Sequence, residues 1–171
     1  IKIDSVKFLA DASRTLPKYV IPLRLTDGNG TDLMADKATS VIGVRYENML
    51  FGNYWHGGET VVTDASGAEV NRIAYYTTVP QSETRVWTLT TVAPFSLTAN
   101  AVGGELNGSK AQLKLTQGAD GAITVSAADG ADYAVEADGE CSFNRAKLLQ
   151  NRRIYLKYKY EKDGLIYHAT D

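Results

Sequence analysis

The sequence has little of what disulfide-bonded domains and most hydrolase active sites require. A single cysteine, Cys141, excludes a disulfide within the chain. Only two histidines are present, His56 and His168, and no Gly-x-Ser-x-Gly motif accompanies them. Nothing in their spacing indicates a nucleophile aligned with a base, so no catalytic residue is predicted.

Metal and cofactor motifs are missing as well. Asp27, Asn29 and Thr31 alternate like the first ligands of a calcium loop, but Asp32 and Ala38 stand where such a loop needs glycine and glutamate. The glycine pairs lack the strand-to-helix setting and the lysine of a phosphate-binding loop. We therefore expect no metal ion and no cofactor.

Charge and hydropathy exclude further classes. The 18 Lys and Arg against 20 Asp and Glu give a net charge of −2, so no overall field favours nucleic acid or a membrane surface. No apolar run approaches the length of a membrane span, and no signal peptide precedes the first strand-like run. Because strand-like runs open and close the chain, we expect it to be a segment of a longer protein.

Helical periodicity is nearly absent. The best helix candidate is short, from Asn144 to Asn151. The basic residues Arg145, Lys147, Arg152 and Arg153 lie in and just after it. We expect a solvated helix there, although such residues can also contact phosphates.

The sequence is rich in signals for β-structure. It has five Asp-Gly dipeptides, four of them in the last third between runs of alternating apolar and polar residues. Such turns require φ > 0, which glycine accepts freely, so the pattern predicts β-hairpins. Because the carboxylates of these dipeptides serve turn chemistry, they are not candidate catalytic acids.

These signals predict an all-β chain with a boundary near residues 47 to 50. Residues 1–47 carry three strand-like runs, 1–8, 19–26 and 39–46, and are expected to be part of a sandwich domain. Pro22 cannot donate a ladder hydrogen bond, so its strand should have a free edge. Residues 50–171 are expected to form an antiparallel β-sandwich or small barrel, with strands near 60–63, 71–78, 84–91, 111–117, 122–127, 133–137, 154–160 and 165–171.

One hairpin can be specified in register. If Leu115 faces the core together with Val125, the loop must have three residues, Ala119, Asp120 and Gly121. We therefore predict a left-handed Gly121 in a bulge.

The most distinctive local cluster is the aromatic block from Phe51 to Gly58. Asn53, Tyr54, Trp55 and His56 are the candidate ligand-binding residues, because aromatic faces stack on sugar rings while Asn and His can bond the hydroxyls. The alternative interpretation is that the inward and outward alternation of a strand places Phe51 or Trp55 in the core. Trp87 and Cys141 are expected to be buried.

Three segments carry a resemblance to known proteins. Residues 16–25 resemble the end of an Ig-like domain of unknown function found in surface lipoproteins of gut Bacteroidetes. Residues 51–58, 73–78 and 154–171 resemble the β-rich domain that often follows it. The resemblance implies part of an Ig-like sandwich at 1–47 and a location at the cell surface on the outer membrane. It also implies a lipid anchor outside this segment.

The resulting hypothesis is a non-catalytic lipoprotein segment that is accessory to glycan binding or uptake. Its expected partners are a glycan or surface polysaccharide and other outer-membrane uptake proteins, and not nucleic acid. The alternative is a structural or adhesive spacer with no small-molecule ligand. A hydrolase would require a cleft that collects two carboxylates, or a histidine with a nucleophile.

Overall fold

The computed structural model describes residues 2–32, 34–76, 85–106 and 110–171. The chain divides into two compact units, Ile1–Glu47 and Asn48–Asp171.

The first unit combines short helices with a two-stranded sheet. Its elements are the α-helix α1 (Ser5–Ala10), the 3₁₀ helices Ala12–Thr15 and Ala35–Lys37, and the antiparallel strands β1 (Tyr19–Arg24) and β2 (Thr39–Val44). In the described residues β1 pairs only with β2, so Pro22 has the free edge that was predicted. The assignment to part of an Ig-like sandwich stays a prediction.

The predicted strand over residues 1–8 is wrong. The side chain of Asp4 accepts hydrogen bonds from the backbone N–H groups of Val6 and Lys7. This cap satisfies two of the donors that a helix start leaves unpaired, and it favours α1 over an extended chain. Ile1 lies outside the described residues.

In its described residues the second unit has fourteen strands and two 3₁₀ turns. The strands are β3 (Gly52–His56), β4 (Gly58–Thr63), β5 (Glu69–Tyr75), β6 (Arg85–Ala93), β7 (Ser96–Ala99), β8 (Ala101–Val102), β9 (Glu105–Leu106), β10 (Leu113–Gln117), β11 (Ile123–Ala127), β12 (Val135–Ala137), β13 (Ser142–Phe143), β14 (Ile154–Tyr155), β15 (Lys157–Lys162) and β16 (Leu165–Thr170). The 3₁₀ turns are Ala119–Gly121 and Leu149–Asn151.

Two antiparallel five-stranded sheets dominate the described part of the second unit, beside the two-stranded pairs β13-β14 and β8-β9. The front sheet has the order β11-β10-β7-β6-β3, and the back sheet has the order β12-β15-β16-β4-β5. Their inner faces meet in one core, to which the front sheet contributes Leu89, Leu97 and Leu115 and the back sheet contributes Tyr158 and Tyr160. The predicted all-β fold is confirmed as a sandwich, because the sheets do not close into a barrel.

The hairpin of β10 and β11 has the predicted register. Leu115 pairs with Val125, and Gln117 pairs with Ile123 across the loop of residues 119 to 121. Gly121 has φ +87°, in the left-handed region. The buried face therefore decided the loop length, as the alternation indicated.

Not every Asp-Gly dipeptide closes a hairpin. Asp163-Gly164 joins β15 to β16 and is one. Asp129-Gly130 instead links β11 of the front sheet to β12 of the back sheet. The dipeptide thus predicts a tight turn more securely than it predicts which strands the turn joins.

The predicted helix from Asn144 to Asn151 is wrong. Only Leu149–Asn151 forms a 3₁₀ turn. The Asn144 side chain donates to the Asn151 carbonyl at 2.7 Å and accepts from the Arg153 N–H at 2.7 Å. These side-chain bonds to the backbone compete with helix formation and hold the segment as a loop.

The turn glycines permit a matched stability test. An Ala side chain at Gly121 would place its Cβ 2.8 Å from the Phe143 carbonyl oxygen, whereas at Gly130 (φ +75°) nothing lies within 4 Å. We expect Gly130→Ala to lower the free energy of unfolding by ~1 kcal/mol, for backbone strain alone. Gly121→Ala adds a steric clash with the backbone and should lower the free energy of unfolding by ~2–4 kcal/mol. Urea denaturation measures both, and equal losses would contradict the packing described.

Candidate functional site

The residues of β3 alternate between two environments. Asn53 and Trp55 face outward, and 62% of the surface of Trp55 is exposed. Tyr54 is half-buried against the core and His56 is 5% exposed. The alternative that buries Phe51 or Trp55 is wrong, because the face of β3 that meets the core carries Tyr54 and His56 instead.

A cavity of about 660 Å³ lies between the segment 51–57 and the segment 149–156. Its inner wall is formed by buried residues of the front sheet, by the connection between β14 and β15 and by the buried side chain that follows β16: His56, Trp87, Leu89, Leu115, Leu156 and Asp171. Its solvent side is formed by exposed or half-buried residues: Phe51, Asn53, Tyr54, Trp55, Leu149, Gln150, Arg152, Arg153, Ile154 and Tyr155. All four candidate residues of the aromatic block line it.

Two features of the chain open this space. The stretch predicted as one strand, 154–160, is interrupted at Leu156, whose backbone N–H and carbonyl pair with Asp171. β14 therefore pairs with β13, while β15 joins the back sheet. Because β14 is not part of the back sheet, the exposed residues Arg153 and Tyr155 lie at the cavity.

His56 forms the deep end of the cavity. Its ring stacks on Trp87 with centroids 4.0 Å apart and lies 4.5 Å from the ring of Tyr75. Its Nε2 lies 3.0 Å from a carboxylate oxygen of Asp171, without the alignment of a hydrogen bond. Gly57 alone separates β3 from β4, so the chain passes between the sheets here and carries the imidazole inward.

The Asp171 carboxylate is 5% exposed and is held by two tyrosines. Tyr75 donates its hydroxyl to Oδ1 at 2.5 Å, and Tyr158 donates to Oδ2 at 2.8 Å. Thr60 lies 3.1 Å from the Tyr75 hydroxyl, and the Gly103 N–H donates to the Tyr158 hydroxyl at 2.6 Å. These bonds form a buried polar network around the carboxylate at the inner end of the cavity.

Burial and charge keep these phenols neutral. Burial, with the Asp171 carboxylate next in importance, raises the pKa of Tyr75 and of Tyr158 above the ordinary tyrosine range. Burial also raises the pKa of Tyr54, while the nearby Arg152 guanidinium acts against it. Tyr75 and Tyr158 therefore act as hydrogen-bond donors at neutral pH.

The second histidine lies away from this cavity. His168 Nδ1 is 2.8 Å from Asp138, and its Nε2 is 3.4 Å from the Thr63 hydroxyl. The order hydroxyl, imidazole, carboxylate is that of a catalytic triad. None of the three residues lines the cavity described above.

The remaining candidate chemistry is modest. Cys141 is buried as expected, and burial raises the pKa of its thiol. Within the ranges that the structure describes, no three His, Cys, Asp or Glu residues cluster as metal ligands would. Among the described helices, none is long and apolar enough to cross a membrane.

Sequence reasoning identified His56 but missed most of the inner wall. Leu156 and Asp171 carry no local motif, and neither does Tyr75, which donates to Asp171; they meet only because their strands do. On the solvent side, Tyr155 is 54% exposed and follows Arg152 and Arg153 closely in the chain. That basic stretch was the one sequence signal for this side of the cavity.

The tyrosine network generates a pH prediction. Tyr75→Phe should lower the free energy of unfolding at neutral pH by ~1–3 kcal/mol, because a buried carboxylate loses a donor. Since the pKa of Tyr75 is raised on folding, the unfolded chain ionises first above its value of about 10, so wild-type stability falls as pH rises past that value. Tyr75→Phe lacks this contribution and should lose less stability over the same rise.

The control for this measurement is Tyr155→Phe, since Tyr155 is exposed. Its stability should follow wild type at every pH. Urea unfolding monitored by tryptophan fluorescence measures all three proteins. Parallel pH profiles for wild type and Tyr75→Phe would contradict the role given to this hydroxyl.

The chain resembles solved structures of Bacteroides ovatus proteins. One, of unknown function, matches with a TM-score of 0.63 at 18% identity over 96% of this chain and 60% of its own. A second of unknown function has a TM-score of 0.52 at 16% identity, over 90% of this chain and 56% of its own. A multidomain protein including DUF1735 has a TM-score of 0.53 at 14% identity, over 80% of this chain and 53% of its own.

The chain thus spans less than two thirds of each of these longer proteins. Identities this low show a shared fold alone. No protein-family model matches the chain, and no curated protein matches it significantly in sequence. The expected likeness to β-rich Bacteroidetes domains of unknown function is therefore confirmed at the level of the fold.

Proposed function

We propose that the second unit is a non-catalytic saccharide-binding module. The observation that carries this proposal is the cavity of about 660 Å³ with the exposed rings of Trp55 and Tyr155 on its solvent side. A volume of this size lies in the range of ligand sites. Exposed planar rings beside a concave surface suit the apolar C–H faces of a pyranose.

Polar groups suited to sugar hydroxyls accompany the rings. Asn53 accepts a hydrogen bond from the Thr88 hydroxyl at 2.9 Å, which leaves its amide nitrogen available as a donor. Gln150 is exposed on the opposite side of the cavity. A few placed polar groups among apolar walls are what orient a ligand in such a site.

The lining supports binding in preference to hydrolysis. Hydrolysis of a glycosidic bond uses two carboxylates, one on each side of the bond. Among the described lining residues the only carboxylate is that of Asp171, and both its oxygens accept tyrosine hydroxyls. The site is therefore assigned to retention of a ligand.

The proposed setting is accessory to glycan uptake at the cell surface. There the protein would be a lipoprotein of the outer membrane, anchored outside this segment and associated with uptake proteins. The sequence resemblance supports this setting. The fold likeness to Bacteroides proteins is consistent with it.

Removal of one ring tests the proposal. On a glycan array the 171-residue chain should bind a saccharide, and titration calorimetry then gives the affinity. Trp55→Ala should weaken that affinity by ~10-fold or more, because a central aromatic contact is lost. Phe95→Ala is the matched control, since Phe95 is 66% exposed and lies outside the cavity.

Three outcomes count against the proposal. They are absence of binding across the array, unchanged affinity of Trp55→Ala, and equal losses in the two variants. The first of these favours the spacer without a small-molecule ligand. In that case the exposed aromatic side chains would serve contact with other proteins.

An enzymatic alternative rests on Thr63, His168 and Asp138. If this trio were catalytic, His168→Ala would abolish release of p-nitrophenol from p-nitrophenyl esters and of reducing ends from array-positive glycans. We expect wild type and His168→Ala to give the same background rate. A wild-type rate above background that depends on His168 would overturn the non-catalytic assignment.

A further inference from the structure

We propose that the cavity selects acidic saccharides, whose sugar carboxylate binds Arg152 and Arg153. This inference rests on the proposed function of the same cavity and names its ligand class. Both arginines line the cavity on its solvent side, together with Trp55 and Tyr155. A uronic acid presents what this lining recognises, an apolar ring face and a carboxylate.

The charge of the segment is the first support. Residues 141–160 contain six Lys and Arg and no Asp or Glu, in a chain whose net charge is −2. Neither Arg152 nor Arg153 forms an ion pair within the described residues. These two are the basic residues of the described lining, and they stand against one carboxylate, that of Asp171, so the lining has an excess of basic over acidic groups that the overall charge conceals.

The second support is the way the two guanidinium groups are held. Arg152 Nη1 donates to the Met49 carbonyl. Arg153 Nη1 donates to the carbonyls of Gln150 and Arg152 at 3.0 and 2.9 Å. Each group is oriented by one of its nitrogens, and each retains further N–H donors from its set of five. A carboxylate can accept two parallel bonds from such a fork.

The third support is that the one acidic group of the described lining is already hydrogen-bonded at the inner end and lies away from the solvent side. The Asp171 carboxylate is buried at the inner end, accepts from Tyr75 and Tyr158, and lies 3.0 Å from His56. The arginines lie at the solvent side, where Arg153 is exposed and Arg152 half-buried. An anionic ligand entering from solvent therefore meets the cations first.

The experiment compares acids with their uncharged esters. Oligosaccharides of galacturonic, mannuronic and glucuronic acid are titrated into the 171-residue chain, each beside its methyl-esterified form. The affinity of at least one acid should be about ten times that of its ester or higher, because charge-assisted hydrogen bonds are lost on esterification. Its affinity should also fall as salt is raised.

Variants locate the effect. Arg153→Gln and Arg152→Gln should each weaken binding of the acid by about tenfold and leave the ester unchanged. Arg153→Lys should recover part of the loss, since it restores charge without the fork. Arg145→Gln is the control from the same basic stretch, because Arg145 lies outside the cavity and should affect affinity less than twofold.

The outcomes separate this inference from the proposed function. If esters or neutral glycans bind as tightly as acids, or if Arg153→Gln binds the acid like wild type, acid selection is overturned while saccharide binding stands. If no saccharide binds in either form, both proposals fail. If a single-stranded oligonucleotide binds more tightly than every acid, the cationic cavity serves nucleic acid, and the acidic-saccharide assignment is overturned.

Discussion

Removing a carboxylate from water costs several kcal/mol unless its partners compensate. The second unit buries one carboxylate, that of Asp171, where its two sheets meet. Its compensating partners come from strands that are distant in sequence. Tyr75 belongs to β5 and Tyr158 to β15 in the back sheet, whereas His56 ends β3 of the front sheet. Both hydrogen-bond donors to the carboxylate therefore lie in the back sheet, and the His56 ring packs beside it from the front sheet, so the group is buried where the two sheets pack together.

A close contact between β4 and β16 positions the inner wall of the cavity. A side chain at Gly58 would lie 2.1 Å from the Thr170 carbonyl oxygen, so the crossing from β3 to β4 packs directly on the end of β16. This close approach brings His56 beside Asp171. From this inner wall β3 runs toward solvent and presents Trp55 on its outward face.

Much of the fold could be predicted because its signals are local. Alternation identified the strands that hold Leu113, Leu115, Ile123 and Val125 in the core, and it also gave the register of their hairpin. Two errors arose where side chains bonded the backbone: Asp4 capped a helix in place of a predicted strand, and Asn144 held a loop in place of a predicted helix. Such competition depends on geometry that residue type alone does not specify.

The candidate site could be predicted only in part. The aromatic block indicated Trp55 as a contact, but not that His56 would be buried against Asp171. The sequence by itself determined an all-β chain with its turns and one hairpin register, because a period of two and a left-handed turn are properties of neighbouring residues. The tertiary structure alone decided the cavity, since it joins residues 51–57 to 149–156 and 171, and no spacing along the chain records which strands will pack together.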